Sequence, residues 1–379
     1  MAVAIIAGWV VVGTALASAS YALAAAHFIG RFFACSAADG SSFPSVTILK
    51  PLHGAEPGLG KNLESFCVQD YPGVVQLLFG VQQAEDTAIP VIEELRKAYP
   101  HVDIAVVIGS CREVANPKIE NLISMLPGAK HDVLVLSDSD IGVPSDYVRK
   151  MAAALEEPGV GAVTCCYVGR ALDNIWSKLA TAGIDYHFLP NVMLGIACGL
   201  AQPCFGSTIA LTRSVLAAIG GFEAYGDRLA DDYEIGHAVR ALGYRVAVLP
   251  FVVTHTCSET SYAALVRHEL RWARTIRAVE PLGYVGSAVT HALPLSLIGA
   301  TLLGFSLPAL AVCAAAVAAR LHLKRTIDHS LARRGASPWL VLLRDVLSFA
   351  VFAGTFLPGR VEWRGRRYRV ASGGQLARE

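Results

Sequence analysis

No Asp, Glu, Lys or Arg occurs before Arg31, which is not how an ordinary soluble domain begins. Charge is scarce throughout the chain. Asp, Glu, Lys and Arg make up 17% of the 379 residues and hydrophobic residues 54%, a balance more apolar than soluble domains have. Neither sign dominates, with 32 basic against 31 acidic residues, so the basic footprint of a nucleic-acid binder is missing and that class is excluded. The nine cysteines are scattered and contain no C-x-x-C pair. Cys165 and Cys166 are adjacent, a poor geometry for a structural bridge, so packed free thiols in a reducing compartment are expected.

The apolar excess is concentrated in a few runs. Residues 1–30 are long enough to cross a bilayer, because about 20 apolar residues suffice. No positive charge precedes the run, as a cleaved signal peptide would require. An uncleaved anchor is expected, with Arg31 and the domain after it on the cytoplasmic side. From Pro281 to Ala319, 39 residues carry no formal charge, roughly twice the hydrocarbon thickness at about 1.5 Å per residue. A hairpin of two spans over 281–319, broken near Gly304–Pro308, accounts for that length. It returns a basic loop, Arg320, Lys324, Arg325, Arg333 and Arg334, to the cytoplasm. Residues 336–359 are interrupted by Arg344 and Asp345 and read as an interfacial or re-entrant helix, with a full span as the competing topology. Residues 360–379 form a basic cytoplasmic tail.

Residues 39–280 carry the remaining polar chemistry. Short β-rich runs, Ser45–Leu49, Val75–Val81, Val102–Ile108 and Val133–Leu136, alternate with helical patterns such as Ala88–Tyr99. That alternation predicts an α/β domain with a parallel-rich sheet and helices on both faces. Ligands in such sheets bind beyond the carboxyl ends of the strands, where the polar clusters of this chain lie.

Asp138-Ser139-Asp140 follows the apolar run VLVL. Two carboxylates at a strand end can share Mg²⁺ or Mn²⁺ with diphosphate oxygens, although a D-x-D also arises as a turn or a helix cap. Asp231-Asp232-Tyr233-Glu234 opens a helix. The dipole alone favours acids there, and the functional reading makes Asp232 a general base with Asp231 as its neighbour. Arg267, His268, Arg271, Trp272 and Arg274 lie on a basic helix, either as a membrane-surface helix or with His268 and Arg271 on a diphosphate and Trp272 against donor or acceptor. Lys118, near the start of a helix after Asn116-Pro117, stands where anions are favoured. Asp86 follows a strand and is either a nucleobase acceptor or a plain loop carboxylate.

The order Asp86, Asp138-Ser139-Asp140, Asp232 and His268-x-x-Arg271-Trp272 resembles the D, D, D, (Q/R)-x-x-R-W signature of family 2-like inverting glycosyltransferases with a GT-A fold. Further motifs are similar to those of the ceramide glucosyltransferase family, family 21, over nearly the whole chain. They are Lys50-Pro51-Leu52-His53-Gly54, Asn62-Leu63-Glu64-Ser65-Phe66, Asp70-Tyr71-Pro72, Asn116-Pro117-Lys118-Ile119 and Trp363-Arg364-x-x-Arg367-Tyr368-Arg369. Asp138-Ser139-Asp140-Ile141, Pro203-Cys204-Phe205-Gly206-Ser207-Thr208 and Arg267-His268-Glu269-Leu270-Arg271-Trp272 most resemble the bacterial hopanoid-biosynthesis branch. The resemblance implies a GT-A domain with transmembrane or interfacial helices at both ends, multi-pass in the bacterial inner membrane. It implies transfer of a sugar, N-acetylglucosamine in that branch, from a UDP-sugar to a lipid hydroxyl, with inversion. A ceramide acceptor with UDP-glucose is the alternative, and a polysaccharide synthase a more distant one. Asp86 would lie near the uracil, Asp138 and Asp140 would serve diphosphate and metal, and Asp232 would be the base. Gly206 and His187 are further candidates on the acceptor side. The chain departs from the pattern at His268, where the motif has Gln or Arg, and at Asp140, where ceramide enzymes can carry Gly.

Overall fold

The computed structural model describes residues 2–35, 40, 42–109, 114–333, 335–357, 361–363, 366–370 and 376–378, with backbone alone from 361 onward. The chain divides into two compact units. One holds Ser36–Val168, Gln202–Ser258 and Tyr368–Glu379; the other holds Met1–Cys35, Gly169–Ala201 and Glu259–Arg367.

In the first unit the β-branched runs become strands: β1 (Val46–Pro51), β2 (Val75–Val81), β3 (Asp103–Ile108), β4 (Val133–Ser137), β5 (Ile141–Gly142), β6 (Val160–Ala171), β7 (Thr208–Thr212) and β8 (Arg245–Cys257). They form one sheet in the order β3-β2-β1-β4-β7-β6-β8-β5. Strands β1 to β4 pair in parallel, Val46 lying opposite both Val75 and Val133. The rest of the sheet departs from the expected parallel pattern. β7 runs antiparallel to β4, β6 to β7, and β5 to β8. Strand–helix alternation continues in the second half of the domain, where the helices Tyr147–Leu155 and Asp231–Ala241 precede β6 and β8, yet the pairing there is antiparallel. β6 and β8 are also the longest strands of the sheet, at 12 and 13 residues.

The core sets the position of two helix starts. Leu49, Leu78, Leu134 and Leu136 from the strands pack against Ile119 and Leu122 of the helix Pro117–Met125 and against Ile235 and Val239 of the helix Asp231–Ala241. These two helices carry Lys118 and Asp232 at their first turns. Burial of the apolar sides therefore fixes where the polar starts stand.

The second unit is helical. It contains the helices Ala2–Phe33, Ile175–Gly183, Leu189–Ala197, Tyr262–Val279, Pro281–Gly286, Ala292–Leu302, Leu307–Ser330 and Pro338–Gly354. Ala2–Phe33 and Leu307–Ser330 are long and apolar enough to cross a membrane. Pro281–Thr290 with Ala292–Leu302, bent by 67°, would make a third span if the pair acts as one. Helix packing uses small residues, as apolar surroundings favour: a Cβ on Gly8 would fall 2.7 Å from Leu303, and one on Gly299 would fall 2.6 Å from Val12.

One expectation needs correction. Arg320, Lys324 and Arg325 do not form a loop; the helix Leu307–Ser330 continues through them. The reason is internal pairing, since Arg320 is buried and bonds Asp345 at 2.5 and 2.6 Å. Arg344 likewise turns away from its neighbour Asp345 and pairs with Glu269 at 2.6 Å. Of the other basic residues expected near the cytoplasmic face, Arg334, Arg360 and Arg364 lie outside the described residues.

Candidate active site

The site is built at the carboxyl ends of β1 and β4. All six residues of β1 are buried, and the last but one is Lys50. Its Nζ donates to Ser137 Oγ at 3.2 Å and to the Asp138 and Ile141 carbonyl oxygens at 2.8 and 3.5 Å. It also stands 3.8 Å from the centre of the Phe66 ring. Burial lowers this ammonium to about 7 against the pull of Asp138 and Asp140. The lysine thus fastens the peptide that carries Asp138-Ser139-Asp140 from beneath. Asn62 Nδ2 holds Ser139 O at 3.3 Å, and Ser139 Oγ reaches Glu56 at 2.9 Å.

Lys118 gathers the acids. Asn116 caps its helix, accepting from the Lys118 and Ile119 amides at 2.9 and 3.2 Å. The Lys118 ammonium then stands 2.9 Å from Asp138 Oδ1 and 3.3 Å from Asp231 Oδ2. Burial alone would lower it, but Asp138, Asp231 and Asp232 outweigh burial and raise it above the ordinary lysine range. Asn116 Nδ2 also spans the Arg228 carbonyl at 2.9 Å and Asp231 Oδ1 at 3.3 Å.

Asp232 accepts the Gly206 amide at 2.7 Å on Oδ2 and the Tyr233 amide at 2.8 Å on Oδ1. Burial, then Asp231, raise its carboxyl to about 6, while Lys118 and the two amides oppose the rise. Gly206 has no side chain because none fits easily. A Cβ there would lie 3.0 Å from Asp232 Oδ2 and 3.3 Å from Lys118 Nζ. Asp140 faces His255 Nδ1 at 3.5 Å. Asp138, Lys118, Asp231, Asp232 and Gly206, far apart in sequence, therefore converge in one place.

Asp86 stands on the same unit but is held separately. It accepts from the Gly54 amide at 2.9 Å and the Ala88 amide at 2.8 Å, which joins the Gly-rich loop after β1 to the helix Ala88–Ala98. Lys50 and His255 are contacts of the site that no motif of the sequence marks with a role. A charged residue ending the buried run VTILK was the available signal for the first; the second had none.

His268, Arg271 and Trp272 belong to the helical unit, on the helix Tyr262–Val279, whose first turn is capped by Ser261. His268 Nδ1 lies 2.5 Å from Glu259 Oε1, and its ring meets Trp272 edge-on at 4.5 Å. His187 also lies in this unit. It occupies one wide helical turn, Ile184–Phe188, and stacks on His291 at 5.0 Å.

Among the described residues no cluster of three or more His, Cys, Asp and Glu is placed to hold a metal. Asp138 and Asp140 nevertheless keep about a third of their side-chain surface open, 34% each. Two open carboxylates suit a hard divalent cation that takes its other ligands from water and phosphate.

The mixed sheet with acids at its strand ends is that of a GT-A domain. The solved mannosyltransferase of Pyrobaculum calidifontis, in complex with GDP-Man and Mn²⁺, shares the fold, with a TM-score of 0.51 and 21% identity, covering 89% of this chain and 99% of that one. The sequence pattern of glycosyl transferase family 21 matches residues 9–376, and the chain belongs to that family. It is similar to Ceramide glucosyltransferase 3 of Caenorhabditis elegans, 26% identical over 356 residues, 89% of this chain and 75% of the relative. It is also similar to the beta-monoglucosyldiacylglycerol synthase of Synechocystis sp., 22% identical over 235 residues, 61% of this chain and 47% of the relative. The expectations of a GT-A fold and of a glycosyltransferase hold.

Proposed function

We propose that this chain transfers a sugar from a nucleotide-sugar to a lipid hydroxyl by a single displacement that inverts the anomeric carbon. The observation that carries this reading is the Asp138–Lys118–Asp231 chain standing beside an Asp232 held by the Gly206 amide. Long apolar helices in the same chain and relatives named for lipid glycosylation support a lipid acceptor.

In this mechanism Asp232 takes the proton of the attacking hydroxyl. A carboxyl near 6 is ionised at neutral pH yet more basic than an exposed aspartate. Lys118 supplies a fixed positive charge next to Asp138, and Lys50 keeps the Asp138–Asp140 peptide in place. Asp138 and Asp140 would hold a divalent cation, Mg²⁺ or Mn²⁺, whose contribution when bound is to neutralise the departing diphosphate. His268, Arg271 and Trp272 are assigned to the donor side, with Arg271 on diphosphate. Asp86 is assigned to the nucleobase end.

For the finer specificity we favour N-acetylglucosamine from UDP-N-acetylglucosamine and a bacteriohopanetetrol acceptor, on the motif likeness to the hopanoid branch. Ceramide with UDP-glucose is the second reading, favoured by the names of the relatives. We assign residues 39–280 to a cytoplasmic catalytic domain at the bacterial inner membrane, residues 1–30 to an anchor and 281–319 to a hairpin. Residues 336–359 are assigned to an interfacial helix and 360–379 to a basic tail. The test is to incubate membranes containing the protein with UDP-N-acetylglucosamine or UDP-glucose and each lipid, and to analyse the lipids by mass spectrometry. A single-sugar lipid is expected. No transfer from either nucleotide to any lipid defeats the reading, and a polymer product replaces it with a polysaccharide synthase.

A further inference from the structure

The buried face of the helix Pro338–Gly354 carries Arg344, Asp345 and Ser348 among its apolar residues. Arg344, 3% exposed, gives Nη2 to Glu269, but its buried Nε and Nη1 find no partner. Ser348 Oγ and His291 Nδ1, on residues 5% and 3% exposed, are also unpartnered. At about 100° per residue, Ser348 falls between Arg344 and Phe352 on this face. The His291 ring stands 5.1 Å from Phe352 and 5.4 Å from Phe349. The unsatisfied donors and acceptors therefore lie along one patch.

Two features make the patch a built one. His291 sits at the break between Pro281–Thr290 and Ala292–Leu302, where the helix axis turns by 67°. Irregular backbone in an apolar helical layer is tolerated where it is covered by protein or lines a cavity. Gly183 stands against the guanidinium, since a Cβ there would meet Arg344 Cζ at 2.4 Å. The Arg344 head fits only because that side chain is missing. Beside the patch, Tyr284, Phe352 and Phe356 form an aromatic surface with ring centres 5.3 to 6.2 Å apart.

Charge identifies the ligand class. Arg344 is balanced by Glu269 and Arg320 by Asp345, while Arg277 stands 4.6 Å over the Phe356 ring of the aromatic surface and donates to the Thr355 carbonyl. An anion at the orphan groups of Arg344 would add negative charge beside two ion pairs that are already neutral, whereas an uncharged ligand oxygen satisfies those groups at no electrostatic cost. We propose that Arg344, Ser348 and His291 form a subsite for the hydroxyl or carbonyl oxygens of an uncharged, polyhydroxylated lipid head, whose apolar body lies on the adjoining aromatic surface. This deepens the lipid-acceptor reading above and rests on it.

The test uses the full chain in nanodiscs. Equilibrium binding of radiolabelled bacteriohopanetetrol and ceramide is measured without donor, and acceptor KM is measured with it. Ser348→Ala removes one oxygen and is expected to weaken binding of the preferred lipid and raise acceptor KM about three- to tenfold, the effect of one hydrogen bond. The KM for the sugar nucleotide is expected to stay in place. Arg344→Lys keeps the charge for Glu269 but loses the fork, and is expected to weaken the lipid further. Should Arg344→Lys fail to fold, Ser348→Ala decides alone, with its melting temperature as the check on folding. Wild-type lipid affinity in Ser348→Ala overturns the subsite, as does tighter binding of phosphatidylglycerol vesicles than of either neutral lipid. Sugar transfer with an unchanged acceptor KM removes the subsite and leaves the proposed function standing. Ser348-dependent lipid binding without transfer supports the subsite and removes the function.

Discussion

The two units treat buried charge in opposite ways. In the helical unit four cations each meet one acid: Arg320 with Asp345, Arg344 with Glu269, Arg333 with Asp185 and Lys324 with Asp328. In the sheet unit four acids, Asp138, Asp140, Asp231 and Asp232, surround Lys118 and Lys50. The excess appears in the protonation of the groups: Asp138 is raised by burial and by Asp140, Asp232 is raised to about 6 by burial and by Asp231, and Lys118 is raised because its acids outweigh its burial. A balanced set holds a structure together, while an unbalanced set at a strand end is poised to accept a cation or a proton. The same residue types serve both ends, and the count of opposite charges around them separates the two.

The widest gap between the units is expected from single charge removals. Asp232→Asn keeps the shape, offers one acceptor oxygen where the Gly206 and Tyr233 amides now use two, and cannot take a proton, so kcat should fall by about a hundredfold or more while donor binding persists. Its melting temperature should stay close to that of the wild type, because relief from Asp231 is offset by the loss of one amide contact and of the attraction to Lys118. Turnover within a few-fold of wild type removes Asp232 from the base role. Arg320→Ala should act the other way round, leaving Asp345 buried and unpaired at a cost of about 3–5 kcal/mol. The measurement is thermal unfolding in detergent. The double change Arg320→Leu with Asp345→Leu should recover most of the loss, and a double variant as unstable as the single one contradicts the balance argument.

Smaller effects sharpen the contrast inside the sheet unit. Asp140→Ala should raise the Mn²⁺ concentration for half-maximal activity about tenfold, the loss of one charged ligand. Unchanged metal dependence assigns Asp140 to the His255 contact alone. Arg271→Ala should lower kcat/KM about ten- to hundredfold through a lost charge-assisted phosphate contact. Wild-type kinetics there take Arg271 off the diphosphate.

The sequence was readable where one residue's neighbours decide its fate. The runs VTIL, VQLLFGV and VLVL gave β1, β2 and β4, and strand ends located Asp138 and Asp140. Partners 25 to 75 residues apart left no local trace. Arg320 with Asp345 and Arg344 with Glu269 are separated by 25 and 75 residues, so the helix through Arg320 read as a basic loop. The Lys50 contact to Asp138, 88 residues apart, was hidden in the same way. The antiparallel half of the sheet is a pairing of distant segments, and no periodicity within β6 or β8 reveals it. Asp232 stands out in the sequence because a helix start with two acids is visible there; its Gly206 anchor is visible only as a glycine.

That anchor gives the finest test. Protons bind Asp232 below its raised value, so kcat/KM in the wild type should fall as pH drops through about 6, approaching tenfold per pH unit. The Gly206 amide stabilises the charged carboxylate and therefore pulls the other way. Gly206 is not in a positive-φ conformation, so Gly206→Ala leaves the backbone unstrained and acts through its Cβ, 3.0 Å from Asp232 Oδ2. The carboxylate must give by a few tenths of an ångström and its bond to the amide lengthens. A weaker bond to the anion raises the pKa. The acid limb of the profile should move to higher pH, with only a few-fold loss at the plateau. A limb that stays in place while the plateau falls would mean that the Cβ obstructs substrate instead of loosening the base, and a limb that moves down would contradict the Asp232–Gly206 contact itself.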